Sequence, residues 1–248
     1  MTTRTLWADG LMAGSVKRGT PTLVQSTYDA IREDILSGKL EPGTKLRADE
    51  LKTVYGVGAS TLRESLNLLV GEALVASEGQ RGFRVTPMTE EDFEDIVRVR
   101  KLVETQALRE SIAHGDDEWE ANLVSVFYKL TKVEQRIAQD PTGLSGQWEE
   151  CNRAFHAALI AACPSRWLHY FISILFHQSE RYRRISLALS QGPEGFKKRD
   201  VHAEHEAIYE AALSRDADTA CQLIENHIDR TLNYLTAEGV FEHLKTMN

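Results

Sequence analysis

The stretch Val57-Gly58-Ala59-Ser60-Thr61-Leu62-Arg63-Glu64-Ser65-Leu66-Asn67-Leu68-Leu69 constrains this chain more than any other. Leu62, Leu66 and Leu69 recur at helical spacing, which predicts a short helix with one apolar side. The opposite side carries small polar groups and a single arginine, a layout suited to entering a groove. A helix this short is marginal in water on its own, so neighbouring elements must hold it in place.

Those neighbours are legible on both sides. Leu23, Val24, Tyr28, Ile31, Ile35 and Leu36 follow helical spacing up to Gly38, and Glu41-Pro42-Gly43 reads as a turn. Ala48 to Tyr55 supports a second short helix with Leu51 and Val54 inward, stopped by Gly56. Two helices joined by a short glycine-containing turn make a helix-turn-helix. After the third helix, Leu74–Ser77 and Phe83–Val85 flank Glu78-Gly79-Gln80-Arg81-Gly82, a β-hairpin with a glycine-rich tip. The sum is a winged helix-turn-helix over residues 22–86, preceded by a loose arm over 1–21.

Charge divides the chain at the same place. Residues 1–86 hold 11 basic against 10 acidic side chains, and the remainder holds 18 against 27, for an overall net charge of −8. Such asymmetry fits two domains with different partners. A net of +1 is no strong basic patch, so binding to a nucleic acid must depend on a few placed contacts. No run approaches the length of a membrane span, no secretory leader opens the chain, and Cys151, Cys163 and Cys221 show no paired spacing. These features point to a cytoplasmic protein with reduced cysteines.

Thr86-Pro87-Met88-Thr89 reads as a linker centred on 87–89, with Thr89 and Asp92 spaced as a helix N-cap pair. Beyond it the pattern predicts helices near 90–113, 117–139, 144–162, 166–190, 198–214 and 216–238, and no strands. The breaks fall at Gly115, Asp140-Pro141, Cys163-Pro164, Gln191-Gly192-Pro193 and Arg215-Asp216. The predicted fold is mainly α: the winged domain followed by an all-helical antiparallel bundle over 90–239, with a tail at 240–248.

The segment from Val57 to Leu66, continued by Gly71-Glu72-Ala73-Leu74-Val75 and the wing Arg81-Gly82-Phe83-Arg84-Val85, resembles the recognition-helix region of GntR-type bacterial transcription regulators. The helical remainder resembles the FadR-C-terminal-type (FCD) effector domain, so the likeness covers residues 22 to 238. Arg109 to Glu120 is similar to the carbon-starvation-induced regulators of glutarate use. The family pattern usually reads Ser-Arg-Thr-Pro-Val-Arg-Glu-Ala-Leu, whereas here Ala59 replaces the first arginine and Thr61 the proline. The resemblance implies a repressor that binds an operator as a homodimer and responds to a small organic acid, glutarate or a related dicarboxylate.

Residue chemistry gives each half its candidates. In the first half, Ser60 and Thr61 are short donors for phosphate or base edges, and Arg63 suits a bidentate guanine contact. Arg47 is placed to clamp the DNA backbone, Arg81 to reach the minor groove, and Gly82 to permit close approach. In the second half, His156, His205 and His227 each lie on an apolar helical stripe, and Asn152 shares a face with His156. Three inward histidines are costly unless paired, and one shared divalent ion satisfies all of them. The donor set suits Zn²⁺, with Ni²⁺ or Mn²⁺ as alternatives. The resemblance adds that many FCD domains bind metal through Asp/Asn, His, His and His at these positions. Arg100, Gln178, Arg181 and Tyr182 are the expected effector-binding groups around it. A helical metalloenzyme is the competing reading, disfavoured because no His-Glu-x-x-His motif and no general base accompany the histidines; a purely structural metal is the third.

Overall fold

The computed structural model describes residues 21–137, 141–189 and 199–247. The expected N-terminal arm and the expected break at Gln191–Pro193 lie outside these residues.

The first domain has the elements its sequence predicts, with one added strand. Helix α1 (Leu23–Leu36) is capped by Thr22, whose side chain accepts from the Gln25 amide. Helix α2 (Ala48–Tyr55) ends at Gly56, whose left-handed φ of 64° makes the turn into α3 (Ala59–Gly71). Leu62, Leu66 and Leu69 are fully buried against Ile31, Ile35 and Leu36 of α1. Each such burial stabilises by roughly 1.5–3 kcal/mol. The Ser65 hydroxyl donates to the Val24 carbonyl at 2.9 Å, which fixes the rotation of α3 on α1. Val54 departs from expectation: it is 63% exposed, and on this two-turn helix only Leu51 is buried.

Strands β2 (Val75–Ser77) and β3 (Phe83–Val85) form the predicted hairpin, with a 3-10 turn at its tip (Gly79–Arg81). The two-residue strand β1 (Lys45–Leu46) joins it, giving the order β1-β3-β2, all antiparallel. Two residues are too few for an alternating pattern, so β1 leaves no signal in the sequence. Gly82 sits at φ 97°, ψ −139°, a conformation essentially restricted to glycine, and this reverses the wing.

The second domain is helical throughout its described residues. Its elements are α4 (Glu90–His114), α5 (Asp117–Ile137), α6 (Pro141–Leu159), α7 (Arg166–Leu189), α8 (Val201–Leu213), α9 (Ala217–Ala237) and α10 (Val240–Met247). The Thr89 side chain caps α4 by accepting from the Asp92 amide, and Glu90, Glu91 and Asp92 complement the helix dipole. Asp200 and Asp216 cap α8 and α9 in the same way. One core joins Phe93, Leu108, Leu123, Phe155, Ile208 and Ile228 from five helices. The expected tail at 240–248 is corrected: Val240, Phe241 and Leu244 are buried in this core, and Phe241 packs on Phe93 and Tyr182. Their spacing of one, three and four is a helical stripe that an eight-residue terminal segment makes easy to overlook. Among the described residues, no helix is long and apolar enough to cross a membrane.

Helix α7 also spans the two domains. Arg184 donates to Glu33 of α1 at 2.7 Å, and Gln178 donates to the Glu72 carbonyl just beyond α3 at 2.8 Å.

Candidate metal centre and DNA-reading surface

Glu149, Asn152 and His156 follow one another at intervals of three and four along α6, so they share a face turned into the bundle. All three are buried. His205 of α8 and His227 of α9 arrive on the same volume, and each of the three histidines offers a ring nitrogen within 4.8 Å of the others. The rings lie 4.9–5.7 Å apart by centroid. His205 Nε2 and Asn152 Oδ1 are buried without a hydrogen-bond partner among the described residues. A buried polar atom without a partner costs about 1–3 kcal/mol. An ion held by both atoms removes that cost, so the residues present fit a divalent metal with nitrogen and oxygen donors.

The electrostatics agree with that fit. Burial holds His156 well below its usual pKa, and the neighbouring His227, His205, Arg100 and Arg183 push it further down. Burial likewise depresses His227, followed by His205, Arg199 and Arg100. Both rings are therefore neutral near pH 7, the form that ligates metal.

Two buried arginines border the cluster. Arg100 of α4 pairs with Glu104 at 2.5 Å and reaches the Ser179 hydroxyl at 3.2 Å. Arg183 of α7 forks onto Glu149 at 3.0 and 2.8 Å. Their guanidinium carbons lie 5.4 and 4.7 Å from the centre of the Phe176 ring, and that ring is 5.4 Å from His156. Cations, an aromatic wall and a histidine cluster thus converge on one buried polar region.

Arg100 is where the sequence reading placed it. Gln178, Arg181 and Tyr182 are not. At 100° per residue, Phe176, Ser179 and Arg183 share one side of α7, while Gln178 and Arg181 fall roughly 135–165° away and Tyr182 roughly 95° away, at its flank. That second side faces the linker and the winged domain. Arg181 donates to the Thr86 carbonyl at 2.6 Å and to Gln178 Oε1 at 3.1 Å. The Tyr182 hydroxyl donates to the Thr89 carbonyl or to Asp92, both within 3.1 Å. The apolar residues of α7 do not mark the side that faces the cluster, because its first turns are not buried evenly: Trp167 and Phe171 are 57% and 49% exposed. Arg183 and Phe176 were missed, although Phe176-x-x-Ser179-x-x-x-Arg183 repeats at intervals of three and four, the same signal that marks Glu149, Asn152 and His156. His202 is half-buried and bonds Glu134.

On the winged domain the candidate DNA contacts lie outward. Ser60 and Arg63 are exposed at the start of α3, and Thr61 is half-buried beside them. Arg63 has no ion-pair partner among the described residues. Arg47, at the N-cap of α2, is exposed and only loosely paired with Glu50 at 3.3 Å. Arg81 projects from the wing tip. Arg84, by contrast, is tied to Glu78 and the Gly43 carbonyl at 2.7 and 2.5 Å, so it stiffens the wing.

An outward helix start with small donors and one arginine, carried on a winged helix-turn-helix and joined to a helical domain with a buried histidine cluster, defines a DNA-binding transcription regulator. Residues 23–85 match the gntR family of bacterial regulatory proteins and residues 95–230 match the FCD domain. The chain belongs to the GntR family and carries an FCD effector domain. It is 42% identical over 219 residues to the HTH-type transcriptional regulator BphR of Paraburkholderia xenovorans, covering 88% of this chain and 87% of that one. It is 34% identical over 201 residues to the HTH-type transcriptional repressor GlaR of Escherichia coli, covering 81% and 90%. Among solved structures, Escherichia coli McbR/YncC shares the fold with a TM-score of 0.69 at 18% identity, covering 88% of this chain and 99% of that one. The family consists of regulators rather than enzymes, which answers the metalloenzyme reading.

Proposed function

We propose that this chain is a repressor released from its operator by a small carboxylate bound at a metal centre. Asn152, His156, His205 and His227 hold the ion, best suited to Zn²⁺ by its donor set. The carboxylate takes a remaining coordination position, and Arg100 and Arg183 engage its oxygens or a second carboxylate of the same molecule. A C5 dicarboxylate such as glutarate has the charge and reach for both ends. The observation that carries this reading is the pair of partnerless atoms, His205 Nε2 and Asn152 Oδ1, beside two buried arginines. The name of the relative GlaR supports repression. A homodimer on a pseudo-palindrome supplies the affinity that one half-site lacks, with half-sites about one helical turn apart. Arg47, Ser60, Thr61, Arg63, Arg81 and Gly82 form the reading surface of each protomer.

A thermal-shift screen of mono- and dicarboxylates tests the site. Stabilisation by at least one acid in the presence of Zn²⁺, lost on adding a chelator, is the expected result; at 100 times the Kd it amounts to about 2.7 kcal/mol. An acid that stabilises equally in chelator argues for a structural metal, and so does a chain stabilised by metal but by no acid.

A further inference from the structure

Two glutamates close on the outer nitrogens of the cluster. His205 Nδ1 lies 2.7 Å from Glu134 Oε1, and the other oxygen of that carboxylate takes His202 Nδ1 at 2.8 Å. His227 Nδ1 lies 2.8 Å from Glu204 Oε2. An ionised carboxylate only accepts, so in both bonds the Nδ1–H donates and the Nε2 lone pair is left bare. Both ties cross between helices, α5 to α8 and α8 to α9, so they fix the rings relative to one another. Asn152 is neutral, and the three imidazoles bring no negative charge to a divalent ion.

We propose that Glu134 and Glu204 are positioning residues of the metal centre: they fix Nε2 as the ligand atom of His205 and His227 and supply the negative charge that Asn152 does not. The inference rests on the metal-centre reading above. The two ties are unequal. Glu134 is sealed in the bundle with its side chain 5% exposed, and among the described residues only the two histidines pair with it. Glu204 is also paired with Arg199 and, at 3.3 Å, with Arg230. It lines a cavity of about 430 Å³ with Arg199, His227 and Arg230, which brings solvent to that side. Arg199 in turn donates to the His227 carbonyl at 2.9 Å, so it steadies the Glu204–His227 pair while offsetting its charge. Glu134 therefore contributes more to holding the ion.

The test strips the full-length chain of metal and titrates Zn²⁺ against a chromophoric chelator, with the visible spectrum of the Co²⁺-loaded form read in parallel. Wild type is expected to take up one equivalent. Outer carboxylates on ligating histidines typically carry 10- to 100-fold in metal affinity, so E134Q is expected to weaken binding by about that factor and E204Q by less. Both should shift the cobalt bands and leave the metal-free melting temperature unchanged. E204Q, at the edge of an open cavity, keeps the test available if E134Q does not fold. Wild-type affinity and spectrum in the variants overturn the inference, as does a loss matched by an equal loss of metal-free stability. A wild type that takes up no metal overturns instead the metal centre on which the inference stands.

Discussion

Arg63→Ala is expected to abolish discrimination between operator and non-specific DNA while the protein folds normally. Arg63 is exposed near the start of α3, whereas the residues that hold α3 to the domain are Leu62, Ser65, Leu66 and Leu69. Its removal therefore leaves the core untouched. A bidentate arginine–guanine contact discriminates by about 1–3 kcal/mol, and a symmetric dimer loses it twice. The winged half is nearly neutral in net charge, so little sequence-independent attraction remains to mask the loss. The measurement is an anisotropy titration at fixed salt with operator and scrambled duplexes. An unchanged ratio of the two affinities contradicts the assignment of α3 as the reading helix.

The second large effect is expected on the other side of the linker. Arg181→Met, which keeps the volume of a buried side chain but removes its donors, should separate acid binding from operator release. Arg181 is 2% exposed, and its guanidinium holds the linker carbonyl of Thr86 together with Gln178. Burial lowers its pKa to about 10, so it remains charged at pH 7. Along the same helix, Ser179 and Arg183 face the histidine cluster while Gln178, Arg181 and Arg184 face the winged domain. A shift of α7 on ligand binding thus reaches both. Beside these bonds, Arg32 of α1 lies 3.9 Å from Glu180 of α7, beyond hydrogen-bond reach. Coupled sites typically differ by about 1–3 kcal/mol, or 5- to 150-fold. In the Arg181→Met protein that factor should collapse towards one while the thermal shift caused by the acid persists. Retention of full release removes α7 from the transmission path.

These predictions show where the sequence was readable. Leu62, Leu66 and Leu69 announced α3 because one repeated residue type at helical spacing has no competing explanation. His156, His205 and His227 were found because a polar ring on an apolar stripe is anomalous by itself. Arg183 and Glu134 are not anomalous in that way: a charged residue on a helix normally faces water, and the spacing that aligns Arg183 with Phe176 and Ser179 does not say which face is inward. Gln178 and Tyr182 were assigned to the wrong side because the apolar residues of α7 do not all point into the core, with Phe171 open to solvent. The stretch Arg109 to Glu120, which carries the narrower resemblance, builds the corner between α4 and α5. There Arg215 stacks over Trp119 at 4.9 Å and donates to the Ile112 carbonyl at 2.8 Å. Residues that shape a corner away from the histidines say little about the ligand.

The central claim is that one buried centre joins metal, acid and operator. The most direct measurement is the operator affinity of the wild-type protein as an acid from the screen is titrated in, with Zn²⁺ loaded and again after chelation. The account predicts that the acid weakens operator binding only in the metal-loaded protein, and that His205→Ala behaves as the chelated protein does. Equal release with and without metal, or release retained in His205→Ala, contradicts it.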